Sequence, residues 1–236
     1  MQIVLPQVLT PDEISRILAL LGSAPPGEGW VDGKVTTGPQ SALVKNNQQM
    51  PQEGRITAQA RDIAVQALGR HPGFVAAALP RRILPPGFNR YSGSANAFGP
   101  HVDNALRNNP AGGGFLRTDI SCTLFLTEPQ SYDGGELVIS ASSGELAYKL
   151  RAGDMLLYPS TTIHHVKPVT RGERIACFFW VESMVASAEK RQLLHNLDTT
   201  ISSLRQRESQ TLGAESQEAV RLTAVYHNLL RMWAQA

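Results

Sequence analysis

The sequence predicts a mainly β protein: a double-stranded β-helix, or jelly roll, with N-terminal helices before it and a C-terminal helical hairpin after it. Two textures carry this expectation. From about Ala76 to Val181 short apolar runs alternate with Gly, Pro, Asn and Asp at close, even spacing. That pattern suits a sandwich or barrel rather than a βαβ sheet. At both ends apolar residues recur every three or four positions instead, the period of an amphipathic helix.

Taken in order, Thr10-Pro11-Asp12-Glu13 reads as a helix start, with Thr10 as N-cap, Pro11 at the first helical position and Glu13 closing a capping box. Ile14, Ile17, Leu18 and Leu21 form its apolar stripe, and Gly22 ends it. A polar stretch to about Met50 contains Ser41-Ala42-Leu43-Val44-Lys45-Asn46-Asn47, whose short apolar centre suggests an irregular strand. A second helix is expected from Thr57 to Leu68, stopped by Gly69. Strands are then expected over Val75–Leu84, Phe88–Tyr91, His101–Asp103, Ser121–Leu126, Glu136–Ile139, Ala147–Leu150, Asp154–Tyr158, His164–Val166 and Arg174–Val181. Between two of them Asn104 to Gly114 reads as a flexible polar loop, because of Gly112-Gly113-Gly114.

After Glu182 the helical period returns over Ala188–Arg207 and Glu215–Trp233, interrupted at Thr211-Leu212-Gly213. The expected division is a jelly-roll domain with its N-terminal helices at 1–182 and a helical hairpin at 183–236. The hairpin must cover its apolar stripe. It either packs on the barrel or gives part of the stripe to a homodimer interface.

Composition narrows the class. Of the 236 residues, 42% are hydrophobic, enough for a core, and no run is apolar and long enough to span a membrane. The start, Met1-Gln2-Ile3-Val4-Leu5-Pro6, lacks the regions of a signal peptide. Cys122 and Cys177 lie inside apolar runs and read as buried thiols, which points to the cytoplasm. A net charge of +2 argues neither for nor against a nucleic-acid partner, but Arg81-Arg82 and Arg107 are too sparse for the basic groove one would need.

The chemistry concentrates in three places. In Phe98-Gly99-Pro100-His101-Val102-Asp103, a histidine and a carboxylate two residues apart project from one face of a strand. Downstream, Tyr158-Pro159-Ser160-Thr161-Thr162-Ile163-His164-His165 offers a further ligand at the far end of the strand series. Two histidines and a carboxylate on one side of an ion form the facial arrangement of non-haem Fe(II) sites, with positions left open. Ten residues on, Arg174 enters the apolar strand Ile175-Ala176-Cys177-Phe178-Phe179-Trp180. A buried guanidinium needs a partner, and a cosubstrate carboxylate matches its fork.

In this order the chain resembles the 2-oxoglutarate- and Fe(II)-dependent dioxygenases of the prolyl 4-hydroxylase type. More narrowly it resembles the bacterial PKHD-type hydroxylases, a branch associated with iron uptake. The resemblance extends through Phe88-Asn89-Arg90-Tyr91, Arg117-Thr118-Asp119-Ile120-Ser121, Tyr132-Asp133-Gly134-Gly135-Glu136-Leu137 and Thr170-Arg171-Gly172-Glu173-Arg174, and covers essentially the whole chain. It implies iron ligands at His101, Asp103 and His164, a 2-oxoglutarate anchor at Arg174, and L-ascorbate as reductant. His164 rather than His165 takes the ligand position of the family, and adjacent strand residues face opposite ways. Phe98 stands where eukaryotic prolyl hydroxylases often carry tyrosine, so Tyr91 or Tyr158 is expected to bond the cosubstrate instead.

The activity so implied is hydroxylation by O2 of a small-molecule or peptidyl substrate, with succinate and CO2 as coproducts. Asp103 favours hydroxylation, because halogenating relatives carry a small residue there. The alternatives are a demethylase or desaturase of the same chemistry, and a non-catalytic, cupin-like iron or ligand sensor. Lys45, Asn47, the Asn104 to Gly114 loop and Arg117 are the expected substrate contacts, on the ground that loops flank such sites.

Overall fold

The computed structural model describes residues 2–25, 27–37, 39–109, 112–142, 144–211 and 215–235. Strand β1 (Ile3–Leu5) leads into helix α1 (Pro11–Gly22), followed by β2 (Val31–Asp32), α2 (Pro39–Ala42), β3 (Lys45–Asn46) and β4 (Gln48–Gln49). Helices α3 (Arg55–Arg70) and α4 (Pro72–Ala78) come next, then β5 (Pro80–Ile83), β6 (Gly87–Ser92), β7 (Ala97–His101), β8 (Leu106–Asn108) and β9 (Phe115–Arg117). The later strands are β10 (Ile120–Phe125), β11 (Asp133–Gly134), β12 (Leu137–Ala141), β13 (Gly144–Tyr148), β14 (Met155–Pro159), β15 (His164–Val166), β16 (Val169–Arg171) and β17 (Glu173–Ser183). Helices α5 (Ala188–Thr211) and α6 (Gln217–Trp233) close the chain.

One sheet runs β1-β14-β10-β17-β6-β4-β2, with β5 added on β17, and a second runs β13-β12-β15-β7-β3. Their strands pair antiparallel and face each other across Tyr91, Phe125, Leu137, Ile139, Leu156, Tyr158 and Val166. This is the jelly roll. The first sheet's other face carries Cys122, Leu124, Met155, Leu157, Cys177 and Phe179 and is covered by Ile17 and Leu21 of α1, the alanines of α3 and Phe74 of α4. Period-two alternation therefore divides each central strand between a helix-side core and a barrel interior. Along β17, Ile175, Cys177, Phe179 and Val181 join the core, while Arg174, Phe178 and Trp180 line the interior cavity.

Local chemistry explains the elements. Thr10 and Glu13 form the expected capping box, with Thr10 N donating to Glu13 Oε2 at 2.9 Å and Glu13 N to Thr10 Oγ1 at 3.3 Å. Helix α3 passes through Gly69 rather than stopping there, because Leu68 and Ala67 are fully packed in the core.

The strand expected over Val75–Leu84 is instead α4 followed by the shorter β5. His71 caps that helix, its Nδ1 accepting from Phe74 N at 3.2 Å, and Pro72 supplies the first position. Leu79, with φ of 44°, turns the chain left-handed and ends it. The expected flexible loop at Asn104–Gly114 contains most of the β8–β9 hairpin, and Pro110 and Ala111 at its tip lie outside the described residues.

The C-terminal hairpin docks on the barrel through Leu79, Val185 and Leu194, with Tyr226, Leu229, Leu230 and Trp233 against them. Arg191 anchors it: buried at 4% exposure, its Nη1 donates to the carbonyls of Val185 and Ala186 and its Nη2 to that of Asp119. Leu212 and Gly213, read above as the interruption, lie outside the described residues. Among the described residues no helix is long and apolar enough to cross a membrane.

Candidate active site

Strand β7 ends at His101, and β15 begins at His164, its direct cross-strand partner. Residues 63 positions apart are thus brought face to face, with ring centroids 4.2 Å apart. Asp103 follows β7 in irregular backbone. The strand expected to hold both His101 and Asp103 stops at the histidine, so strand alternation does not aim the carboxylate. Ser121 does, its Oγ donating to Asp103 Oδ2 at 2.5 Å and meeting Ser160 Oγ at 2.8 Å. Ligand atoms of His101, Asp103 and His164 all lie within 4.8 Å of one another.

Both imidazoles are oriented by backbone carbonyls: His101 Nδ1 lies 2.9 Å from Gly99 O, and His164 Nδ1 3.0 Å from Thr162 O. A proton on each Nδ1 leaves Nε2 with its lone pair toward the cluster. Burial and then the neighbouring His164 push the His101 imidazole down to about 4, so it is neutral at physiological pH, the state in which an imidazole can bind a metal. His164 is buried, and His165, paired with Val138, is half-buried on the opposite face.

Phe98 stacks on the His101 ring at 3.6 Å, holding its plane rather than offering a hydroxyl. The two tyrosines separate. Tyr158 lies edge-on to His164 at 4.9 Å, and Tyr91 lies under Arg174, its cross-strand partner, with the guanidinium carbon 5.2 Å from its ring. Burial raises both phenols well out of reach of ionisation, so each faces the cavity as a neutral hydroxyl.

Arg174 is 1% exposed and sits between Tyr91 and Phe125, and its Nε and Nη1 have no hydrogen-bond partner among the described residues. Tyr132 Oη is likewise buried without one. Gly135 makes room for the arginine: a Cβ there would come within 3.1 Å of Arg174 Cδ, and its φ of +70° favours glycine in any case. Ser121, Ser160 and Gly135 were not singled out by sequence reasoning. The positive-φ turn in Tyr132-Asp133-Gly134-Gly135 was the available signal for the last.

These groups open into one cavity of about 340 Å³, lined also by Lys45, Asn47, Arg107 and Asn104. Arg117, expected there, is not among its residues. It forms a bidentate pair with Asp119 at 2.6 and 2.9 Å and donates to Ser183 O, tying β9 to β17.

Comparison with known proteins agrees in each half of the chain. Residues 86–182 match the 2OG-Fe(II) oxygenase superfamily and residues 189–235 the PKHD-type hydroxylase C-terminal domain. Over 236 residues, all of both chains, the sequence is 48% identical to a PKHD-type hydroxylase of Nitrosomonas eutropha. The chain belongs to the PKHD-type hydroxylases. A second PKHD-type hydroxylase, from Janthinobacterium sp., is 50% identical over 99% of each chain. The fold is also that of a Pseudomonas putida prolyl-4-hydroxylase, which matches 77% of this chain and 92% of its own at TM-score 0.53 and 20% identity. As a PKHD-type hydroxylase the protein is an Fe(II)- and 2-oxoglutarate-dependent oxygenase that consumes O2 and a further substrate.

Proposed function

We propose that this PKHD-type hydroxylase holds Fe(II) on His101, Asp103 and His164 and anchors the distal carboxylate of 2-oxoglutarate on Arg174, to hydroxylate a small-molecule or peptidyl substrate. The observation that carries this assignment is one cavity containing both a His/Asp/His cluster and a buried arginine with two orphaned donors. The donor set fits the metal: two imidazoles and one carboxylate suit Fe(II) and leave coordination positions open. Arg174 fits the cosubstrate, because a buried guanidinium without a partner is costly until a carboxylate meets it.

When bound, Fe(II) and 2-oxoglutarate supply the O2-dependent decarboxylation to succinate and CO2 that drives C–H hydroxylation. The chain's residues do the placing. Gly99 O and Thr162 O hold the imidazole protons on Nδ1, Ser121 fixes the carboxylate rotamer of Asp103, and Phe98 clamps the His101 plane. Tyr91 presents its hydroxyl beside Arg174 as a further donor to the cosubstrate, and Tyr158 closes the cavity beside His164. The apolar walls around them exclude water from the reacting atoms.

The same proposal takes L-ascorbate as the reductant that keeps the iron as Fe(II). It places the protein in the cytoplasm, supported by two buried free thiols. It divides the chain into a catalytic unit at 1–182 and a hairpin at 183–236, and it makes that hairpin a homodimer contact through Leu193, Val220 and Met232, all exposed.

Anaerobic titration of the Fe(II) protein with 2-oxoglutarate tests the central assignment. A weak metal-to-ligand charge-transfer band is expected in the wild type, lost in His101→Ala and in Arg174→Gln. Iron binding with no such band in the wild type would make the protein a sensor instead.

A further inference from the structure

The cavity contains more positive charge than one cosubstrate requires. Arg107, on β8, lays its guanidinium 4.0 Å from the ring centroid of Trp180, and among the described residues it makes no hydrogen bond or ion pair. Lys45, only 4% exposed, reaches over the other side of the cluster with Nζ 5.4 Å from the Phe98 ring. Both side chains feel Asp103. Burial and then Arg107 push the Lys45 ammonium down to about 8, with Asp103 and Asp32 opposing. Burial likewise lowers Arg107, against Asp103. Lys45 has Asp32 as well as Asp103 acting on it, whereas Arg107 has the field of Asp103, itself part of the candidate metal cluster, and no anion within hydrogen-bonding reach among the described residues, which leaves its guanidinium fork open to the cavity.

The 2-oxoglutarate held by Arg174 does not neutralise it. Arg174 and Trp180 lie on the same face of β17 six residues apart, about 20 Å along the strand at roughly 3.3 Å per residue. Tyr91 and Phe125 keep the Arg174 guanidinium at its own end, 5.2 and 5.0 Å from their rings. A five-carbon dicarboxylate anchored there ends well short of Arg107.

We propose that the substrate hydroxylated at this site carries a carboxylate, which Arg107 and Lys45 receive at the mouth of the cavity. Trp180 holds the guanidinium fork flat for bidentate contact, and Lys45 adds a point charge from the opposite wall. The anion fixes the substrate's distance from the metal cluster, so the position oxidised is set by the spacing between its carboxylate and the reacting carbon. This substrate class rests on the function proposed above, and the test separates the two.

The full chain, loaded with Fe(II) and saturating 2-oxoglutarate under nitrogen, is titrated with N-acetylglycine and with its neutral isostere N-acetylglycinamide, reading tryptophan fluorescence beside Arg107. The carboxylate is expected to bind at least about tenfold more tightly than the amide. Arg107→Gln removes that preference. Arg174→Gln retains it while losing 2-oxoglutarate binding. Equal affinities, binding of neither probe, or a preference that survives Arg107→Gln or vanishes with Arg174→Gln would overturn the assignment. A wild type that selects the carboxylate but binds no 2-oxoglutarate would instead overturn the function proposed above.

Discussion

Ser121 Oγ donates to Asp103 Oδ2 at 2.5 Å, so a serine on the central strand β10 sets the direction of the carboxylate in the candidate metal cluster. Ser160, 2.8 Å away from the same hydroxyl, extends the support to the end of β14. Outer partners of this kind hold ligands in register with the ion.

Ser121→Ala is therefore expected to weaken Fe(II) binding by about 10- to 100-fold while leaving 2-oxoglutarate affinity at saturating metal nearly unchanged. Anaerobic Fe(II) titration measures the first and the charge-transfer band the second. The buried Ser160 hydroxyl loses its partner as well, at a cost of about 1–3 kcal/mol in urea unfolding. Unaltered iron affinity would mean that the backbone after His101 holds Asp103 by itself.

Arg174 trades stability for binding. Without cosubstrate its guanidinium is buried with two unsatisfied donors, so Arg174→Met is expected to leave the unfolding free energy unchanged or raise it, by up to about 4 kcal/mol. Saturating 2-oxoglutarate at a hundred times its dissociation constant stabilises the wild type by about 2.7 kcal/mol and the variant not at all. Thermal melts with and without 2-oxoglutarate read both. A variant several kcal/mol less stable would reveal a structural partner for the arginine.

Lys45 makes stability depend on pH in the alkaline range. Burial, with Arg107, lowers its ammonium from 10.5 to about 8. Between those values the unfolded chain keeps the proton that the fold has released, so the contribution of this group to unfolding free energy rises with pH. Below pH 8 both states are protonated and the burial penalty is felt in full. Lys45→Met is accordingly expected to stabilise more at pH 7 than at pH 10.5, by up to about 3 kcal/mol. Paired urea titrations at the two pH values give the difference, and an equal effect at both would place the lysine in water.

Arg191 joins the C-terminal hairpin to the barrel through three main-chain carbonyls. Arg191→Ala leaves the Val185 and Ala186 carbonyls without its guanidinium under α5, while Asp119 O keeps its bond from Ser160 N, costing about 1–3 kcal/mol. Loosening is expected to begin at the hairpin, so limited proteolysis should release a fragment ending near residue 183 faster than in the wild type. Uniform protection of the two chains would show that apolar contacts alone hold the hairpin.

Much of the site was legible because its residues carry chemistry that is costly elsewhere. A buried arginine and a His-x-Asp triplet stand out in any apolar context. The direct pairing of His101 with His164 was not legible, since strand register over a 63-residue separation is decided by the whole sheet. Asp103 shows the limit of local pattern: a period-two argument put it on the strand of His101, and the strand ends at the histidine, two residues too early. Two arginines of one segment met opposite fates for a readable reason. Arg117 has Asp119 two positions on, on its own face, and pairs with it, whereas Arg107 has no such neighbour and turns to Trp180. Helix α4 was missed because a short continuous apolar run such as Phe74–Leu79 has no period that separates a strand from a buried helix, although its alanines favour helix, and the cap that decides it is the unusual one of His71.

Strand β17 has a consequence for how this enzyme can vary. Its odd-numbered residues from Ile175 to Val181 are committed to the helix-side core and its even-numbered ones, Arg174, Phe178 and Trp180, to the reaction chamber. Insertion or loss of one residue would exchange the two sets, burying the guanidinium among leucines and turning the thiol of Cys177 toward the oxidant. New specificities are therefore reachable here only by substitution at constant length. Length itself is free to change at the tip of the β8–β9 hairpin, which touches the chamber through Arg107 and Asn108 on β8 rather than through its glycines.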